Sequence, residues 1–326
     1  ESELLLDEAV YVFDESGRRT VTCRSVYHRI APIRGQHMPI VAVAWSPWYQ
    51  KKPRIRARVI TPDGRAHQLD PRTLTESPMT PPGGPVFSDR RVLQAPLSAV
   101  QAGAVVEEEY VVEDIEPFFR QGYADSFALA GYMPIRKSRL RIDVPSEFPL
   151  RYAVRGTDLK PKITEREGRK AFVFESGPAD AIRTLEAFVP RTAVQMPDVV
   201  FSTGKSWTAI ATAYGKIVDE RCQPNRLDEL VERLVGKEKS REKIVATLLA
   251  HVQSAIRYTA VNLGESSILP ESSETTLRRQ YGDCTDQSTL LVGMLRAAGL
   301  RAHVALLRAG STQQVEPDLP GLSAFN

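Results

Sequence analysis

The feature that most constrains the fold of this chain is a change in the spacing of its apolar residues near residue 200. Before that point, apolar and polar residues alternate in short runs that end in turn-forming residues. In IRARVITPDGRAHQL, for example, Ile55, Ala57 and Val59 alternate with arginines, and a Pro-Asp-Gly turn follows. A repeat of two places successive side chains on opposite faces of a strand, so this half predicts an antiparallel β-sandwich. The Pro/Gly-rich stretch of residues 76–89 predicts a loop within it.

Helical spacing replaces this alternation after a proline-punctuated connector. From Ser206 onward, apolar residues recur at steps of three and four, and a second run of the same kind lies in SREKIVATLLAHVQSAIRY. A third predicted helix, residues 284–299, is followed by RAHVALL, which predicts a strand. The predicted fold class is therefore α+β multidomain, with an antiparallel β-sandwich in residues 1–195 and a partial α+β domain in residues 196–326.

Charge and hydropathy argue against two classes of partner. The chain has 43 basic and 40 acidic residues, a formal net charge of +3 and no dense basic tract, so binding to nucleic acid is not predicted. No apolar run reaches the roughly 18–20 residues that cross a bilayer, so no membrane-spanning segment is predicted.

The sequence opens on Glu1 without an initiator methionine, which is typical of a processed or trimmed chain.

Three cysteines, an odd number without paired spacing, argue against a disulfide framework and against a zinc site. Cys23 lies in a predicted strand and Cys222 beside a turn, and both suit the role of small apolar residues in a packed interior. Cys284 differs, because Gly282 and Asp283 place it in the first turn of the third predicted helix. Free amides and a partial positive charge at a helix start favour a thiolate and stabilise a developing oxyanion. Cys284 is therefore the candidate nucleophile, and the alternative is a small residue beside a helix cap.

The third predicted helix also indicates how it packs. Its apolar residues recur on one stripe, and Gly299 is a natural stop. We expect the face that carries Leu291 and Leu295 to be buried against a sheet and the Cys284 thiol to be reachable from solvent. The stripe comprises Leu290, Leu291, Met294, Leu295 and Ala298.

The residues around Cys284 resemble the nucleophile helix of the transglutaminase-like superfamily. The shared pattern is YGDC, residues 281–284, followed by Asp286 and by two apolar pairs, LL and ML. AHVQSAIRYTAVNLGESSILPESSETTL is similar to the helix and loop that precede this motif in the superfamily. The first half, with ITPDGRAHQL and GAVVEEEY, resembles the bacterial DUF3857 domain that is often fused in front. Two positions depart from the pattern, since Thr285 and Gln287 stand where lysines are usual.

The resemblance implies acyl transfer on protein or peptide amides through a Cys284 thioester. Water as the acceptor would make the protein a cysteine peptidase or amidase, a hydrolase, and an amine would make it a crosslinker. The resemblance also implies a transglutaminase-like domain of papain-like construction, no metal or organic cofactor, and export to the periplasm or the cell surface.

The same resemblance implies a histidine on a later strand and an acidic or amide residue beyond it. The sequence ends at Asn326, one residue before the expected histidine, and neither His251 nor His303 is expected to replace it. We therefore expect the chain in this form to be catalytically silent. The incomplete sheet would leave an unpaired edge beside HVALLRAG, which favours self-association.

Four neighbours of the candidate nucleophile are assigned supporting roles. Gln280 and Tyr281 are candidates for shaping the oxyanion site, while Asp283 and Asp286 suit helix capping better than acid–base chemistry. The alternative function is a non-catalytic scaffold, in which the sandwich holds a protein or glycan partner on aromatic residues such as Trp48.

Overall fold

The computed structural model describes residues 2–31, 39–79, 86–182, 196–307 and 315–325. Within these ranges the chain forms two compact units. The first unit holds the described residues of Glu1–Pro78, Arg90–Trp207 and Arg308–Phe325, and the second holds those of Met79–Asp89 and Thr208–Leu307.

Strands dominate the first unit and are short in the second. In chain order the first nine are β1 (Ser2–Phe13), β2 (Arg19–Arg29), β3 (Ile40–Trp45), β4 (Arg54–Ile60), β5 (Ala66–Gln68), β6 (Thr75–Pro78), β7 (Val86–Ser88), β8 (Arg91–Pro96) and β9 (Val105–Glu113). The next nine are β10 (Ala124–Ala128), β11 (Ser138–Pro145), β12 (Arg151–Arg155), β13 (Lys162–Arg166), β14 (Arg169–Ser176), β15 (Asp198–Ser202), β16 (Arg257–Tyr258), β17 (Ala260–Asn262) and β18 (Tyr281–Gly282).

An eight-stranded sheet in the order β13-β14-β11-β1-β2-β9-β4-β5 runs through the first unit. Its neighbouring strands are antiparallel except β1 and β11, which are parallel. The two hairpins that the sequence indicates are present, with Gly17 at φ +86° between β1 and β2 and Gly64 at φ +82° between β4 and β5. Glycine suits both turns because a positive φ is unfavourable for residues that carry a Cβ.

Two three-stranded sheets, β10-β15-β12 and β3-β8-β6, complete the sandwich. One hydrophobic core joins side chains of β1, β11, β14 and β15, and another joins side chains of β3, β4, β8 and β9. Trp45, at 4% exposure, lies in the second core, whereas Trp48 is half-buried beyond the end of β3. The predicted class, an N-terminal β-sandwich followed by a helix-rich part, is confirmed.

Within the described residues, five α-helices follow the sandwich strands. They are α1 (Trp207–Cys222), α2 (Asp228–Val235), α3 (Arg241–Ala255), α4 (Ser273–Arg279) and α5 (Cys284–Ala297). The apolar spacing of the sequence predicts α1, α3 and α5. Helix α2 was not predicted, although Leu230, Val231 and Leu234 carry the same three- and four-residue spacing. Helix α4 was also not predicted, because its seven residues are too few to show that spacing.

The packing of α5 corrects the expected burial of its Leu291 face against a sheet. Leu290 and Met294 are fully buried, at 0% exposure, in a cluster of helix residues that includes Leu248 of α3. Leu291 and Leu295 are only partly buried against that cluster. The apolar stripe is wide enough for either row to face inward, so the helices that surround α5 decide which row is buried.

The strand predicted for RAHVALL, residues 301–307, is not formed, which is a second correction. Residues 301–307 alternate between exposed and half-buried positions, as the sequence pattern indicates, but no described strand pairs with them. Alternation alone does not make a strand, because the backbone also needs a hydrogen-bonding neighbour. The sheet edge expected to favour self-association is therefore not formed by residues 301–307, and residues 308–310 lie outside the described ranges.

The two units differ from the predicted domains, residues 1–195 and 196–326, at three places. β15 pairs with β10 and β12 and so belongs to the first unit. The described residues 315–325 also belong to the first unit, where Leu322 is fully buried. Residues 79 and 86–89 belong to the second unit. Strand pairing and burial decide which unit each of these segments belongs to. The composition of the linker reveals neither pairing nor burial, so the domain boundary at residues 195–196 stays a prediction.

Candidate active site

Cys284 is the first residue of α5, and its side chain is exposed. Asp283 is the N-cap, and its Oδ1 accepts hydrogen bonds from the N–H groups of Thr285 (2.9 Å) and Asp286 (3.0 Å). The Asp283 N–H donates in return to Asp286 Oδ2 (3.4 Å), which closes a capping box, and the Gln287 N–H donates to the Asp283 carbonyl (3.0 Å). Among the described residues, none accepts a hydrogen bond from the Cys284 N–H. The cap thus leaves the backbone donor beside the thiol free for a ligand oxygen.

A buried ion pair supports this cap. Asp286, at 6% exposure, pairs with the Arg279 guanidinium, and its Oδ1 accepts a hydrogen bond from the Glu271 N–H (2.8 Å). Burial raises the pKa of Asp286, and the Asp283 carboxylate adds to the rise while the Glu271 N–H and Arg279 oppose it. Because structural partners occupy both carboxylate oxygens, Asp286 has the geometry of a capping residue rather than of an acid or base that faces solvent.

Gly282 allows this close arrangement. A Cβ at this position would lie 2.7 Å from the Cβ of Asp286, so a larger residue would displace the cap. Gly282 also belongs to β18, which pairs in parallel with β16 and sets Tyr258 opposite Gly282. The Thr259 N–H donates to the Gly282 carbonyl (3.0 Å) and secures this register. Strand pairing therefore brings Tyr258 to the start of α5.

Tyr258 is a site residue that the sequence reasoning missed. Its side chain is 63% exposed. Its partial burial raises its pKa, and the Cys284 thiol and the Asp283 carboxylate near its hydroxyl raise that pKa further. A strand of two residues is too short to show a repeat, so the sequence signal for this residue is a tyrosine at the end of the second helical run.

Tyr214 of α1 is a second missed residue, and it is buried at 5% exposure. Its hydroxyl donates to the Ile268 carbonyl (3.0 Å). Burial raises the pKa of Tyr214 to about 12, with smaller contributions from Asp283 and Cys284. Helical spacing predicts that this tyrosine is buried, but it does not reveal where the hydroxyl points.

Gln280 and Tyr281 directly precede the capped start of α5. Among the described contacts, neither side chain hydrogen-bonds to the Cys284 thiol. Gln280 ends α4 in the left-handed region (φ 53°), and its carbonyl accepts from the Arg257 N–H (2.9 Å). The Tyr281 ring lies 4.8 Å from the Arg279 guanidinium carbon. Their contribution to an oxyanion site stays a prediction.

Cys284 is the exposed member of the three cysteines. Cys222 is buried and Cys23 is half-buried, and burial raises the pKa of both thiols. His251 is half-buried on α3 and His303 is exposed beyond α5. Among the described contacts, no histidine hydrogen-bonds to Cys284.

Two further properties concern the described part of the chain. Its histidine, cysteine and acidic side chains form no group of three that could hold a metal ion. None of its helices combines the length and the apolar character needed to cross a membrane.

Two family models match different parts of this chain. Residues 34–183 match the family described as "Domain of Unknown Function with solved-structure structure (DUF3857)". Residues 228–316 match the core of the transglutaminase-like superfamily, and this match includes the capped start of α5. The chain therefore joins a DUF3857 region to a transglutaminase-like region, which confirms the fusion that the sequence resemblance predicts.

A solved structure has the same fold. It is a protein from Parabacteroides distasonis ATCC 8503, described as a "putative protease", which aligns with a TM-score of 0.81 and 18% identity over 100% of this chain and 64% of that chain. The present chain thus spans less than two thirds of that protein's length. An M1 zinc metallopeptidase from Deinococcus radiodurans aligns over 61% of this chain and 42% of its own with a TM-score of 0.32 and 11% identity, too weakly to support an argument. No protein with a curated description matches the chain.

Proposed function

We propose that this protein is a thiol acyl-transfer enzyme that acts on protein or peptide amides, with Cys284 as the nucleophile. The observation that carries the proposal is the start of α5, where an exposed thiol stands on a helix whose cap is fixed by buried polar groups. A nucleophile needs both properties, since it must reach the substrate and must also be held in one position.

The proposed reaction begins when the Cys284 thiolate attacks the carbonyl carbon of an amide. The carbonyl oxygen then becomes an oxyanion, and the unpaired Cys284 N–H is one donor for it. The Tyr258 hydroxyl is the second proposed donor, because it lies near the thiol and keeps its proton at neutral pH. Both donors are in place before substrate binds, so the site would need little reorganisation.

Collapse of this intermediate breaks the C–N bond, releases the amine with an added proton and leaves a Cys284 thioester. Water or a second amine then attacks the thioester and regenerates the thiol. The amine leaves only when a general acid protonates it. The superfamily resemblance implies a histidine for that step, and the described contacts assign no residue to it. The description of the Parabacteroides protein makes hydrolysis the first case to test.

Selective alkylation tests the nucleophile within one molecule. Iodoacetamide is applied at about one pH unit below the ordinary thiol pKa of about 8.5, and each cysteine peptide is quantified by mass spectrometry. We expect Cys284 to react at least about tenfold faster than Cys222 and Cys23, since burial raises the pKa of those two thiols. Hydrolysis of a peptide library by a chain extended past residue 326, and its loss in the extended Cys284→Ala variant, would link that reactivity to turnover.

A scaffold is the second candidate, and one observation favours it. Trp48, Tyr49 and Phe118 form a half-buried aromatic group in the first unit, with ring centroids 4.5–6.2 Å apart. Such a surface suits a protein or glycan partner. A Cys284 thiol that reacts no faster than Cys222 would reject the enzyme and leave this candidate, which Trp48→Ala would then test in a glycan and peptide binding array.

A further inference from the structure

A segment from the first half of the sequence is part of the unit that carries Cys284. The chain leaves the first unit after Pro78 and returns to it at Arg90. Between these points β7 pairs in parallel with β17 of the second unit, with Phe87 opposite Val261. The sequence pattern indicates only a loop here, because proline and glycine hide a three-residue strand.

β7 and β18 lie on opposite edges of the extended segment 257–262. The N–H groups of Arg257 and Thr259 donate to carbonyls of the β18 side, those of Gln280 (2.9 Å) and Gly282 (3.0 Å). In an extended chain, the backbone groups of alternate residues point to opposite edges. Asn262 lies an odd number of residues from Arg257 and Thr259, so its carbonyl points to the opposite edge. There it accepts a hydrogen bond from the Asp89 N–H (3.3 Å). The segment that carries Tyr258 is thus held from both sides.

Asp89 also closes the turn that follows β17. Its Oδ2 accepts a hydrogen bond from the Gly264 N–H (2.8 Å), and Gly264 has a φ of +60°, in the left-handed region. Ser266 completes the turn, since its hydroxyl contacts the Leu263 N–H (2.9 Å) and the Val261 carbonyl (2.9 Å). Asp89 therefore joins the edge of β17 and the turn beyond it through two hydrogen bonds.

We infer that Asp89 is a positioning residue for the thiol site. It fixes β17 and its turn, which fixes the continuous segment from Arg257 to Asn262 and so holds the Tyr258 hydroxyl beside Cys284. The effect on catalysis rests on the proposed function, whereas the effect on the position of Tyr258 does not. The first half of the sequence would thus contribute a structural part of the site.

The test compares three substitutions in the full chain. Asp89→Ala removes the acceptor for the Gly264 N–H, Asp89→Asn keeps an acceptor oxygen there, and Asp70→Ala removes a turn carboxylate of the first unit as a control. Three quantities are measured: amide hydrogen exchange of residues 257–264, the pKa of Tyr258 by carbon NMR of labelled tyrosine, and the alkylation rate of Cys284.

For Asp89→Ala we expect exchange of residues 257–264 to accelerate about tenfold, as for a strand that opens locally more often. We also expect the pKa of Tyr258 to fall toward its ordinary value and the alkylation rate of Cys284 to change severalfold. Asp89→Asn and Asp70→Ala should resemble the wild type in all three quantities. Rescue by asparagine separates the loss of one acceptor from general destabilisation.

Two results would overturn the inference: an unchanged pKa of Tyr258 in Asp89→Ala, or the same change in Asp89→Asn as in Asp89→Ala. A different result concerns the proposed function alone. If the wild-type Cys284 thiol is unreactive while the pKa of Tyr258 responds to Asp89→Ala, the enzyme proposal fails and Asp89 keeps its positioning role.

Discussion

Cys222 and Cys284 occupy opposite kinds of helix end, and the comparison shows what makes one thiol available. Cys222 is the last residue of α1, is 0% exposed, and donates to the Thr289 carbonyl of α5 at 3.6 Å. Cys284 is the first residue of α5 and is exposed. A helix start offers N–H donors that stabilise an anion, whereas a helix end offers carbonyl acceptors that favour a protonated thiol. Burial also separates the two identical side chains, because it raises the pKa of the Cys222 thiol whereas the Cys284 thiol is open to solvent.

The surroundings of the two thiols differ in the same way. The start of α5 is held by buried polar groups, chiefly the Arg279–Asp286 pair. The end of α1 is held by close packing, since a Cβ on Gly293 would lie 2.6 Å from the Cys222 carbonyl oxygen and 2.9 Å from a Leu227 methyl carbon. An exposed thiol leaves little apolar contact at its own position, so charge and capping must fix its backbone. Four substitution experiments examine this contrast.

The largest effect is expected from breaking the buried pair. Arg279→Leu leaves Asp286 buried without its cation, and removal of one partner of such a pair typically costs about 3–5 kcal/mol. The side chains of the pair are 17% and 8% exposed. Urea unfolding followed by far-ultraviolet circular dichroism, which reports mainly on the helices of the second unit, measures the loss.

Lys243→Leu is the matched control for Arg279→Leu. Lys243 pairs with Glu238 at 3.6 Å in the same unit, but these side chains are 72% and 34% exposed. A pair of this kind contributes about 0–1 kcal/mol. Equal losses in the two variants would show that the start of α5 does not depend on its buried pair.

The next effect is expected at Gly293, on the side of Cys222. Gly293→Ala forces a methyl group against the Cys222 carbonyl, a backbone atom that cannot move cheaply, and overpacking of this kind costs about 1–3 kcal/mol. Gly215→Ala in α1 is the control, because nothing lies within 4 Å of its added Cβ and alanine favours a helix by up to about 1 kcal/mol. We expect opposite signs in urea unfolding. A neutral Gly293→Ala would mean that α1 and α5 are packed less closely than the contact distances indicate.

The sequence predicted those features of the two helix ends that depend only on residues adjacent in the chain. The Gly282-Asp283 entry predicts Cys284 at a helix start, and Gly299, at φ +77°, ends that helix as predicted. Tyr214 and Tyr258 were missed, because their approach to the thiol depends on how α1 and a two-residue strand pack. The same limit explains the wrong choice of the Leu291 row and the strand wrongly predicted from RAHVALL, since both depended on neighbours that periodicity does not specify.

A smaller effect is expected when the two thiols themselves are removed. Cys222→Ala deletes one buried atom and a weak hydrogen bond, which should lower the free energy of unfolding by about 1 kcal/mol. Cys284→Ala removes an exposed atom and should change that free energy by less than about 0.5 kcal/mol. Thermal and urea unfolding of both variants measure the difference. A larger loss in Cys284→Ala would contradict the view that this thiol contributes little to stability.

The effect that is smallest at neutral pH is the titration of Cys222, which appears only at higher pH. Burial raises the pKa of Cys222 in the folded protein, whereas in the unfolded chain a thiol has a pKa of about 8.5. The resulting stabilisation is fully present below about pH 8.5 and is lost as the pH rises through the folded-state pKa, because the unfolded chain releases the proton first.

Between about pH 8.5 and pH 10, this thiol should lower the free energy of unfolding by at most about 1.4 kcal/mol per pH unit. Tyr214, with its pKa of about 12, stays protonated over that interval. Urea unfolding at several pH values should therefore show a shallower decline in Cys222→Ala than in the wild type. A decline as steep in Cys222→Ala as in the wild type would show that burial of this thiol is not coupled to folding, and the contrast between the two helix ends would fail.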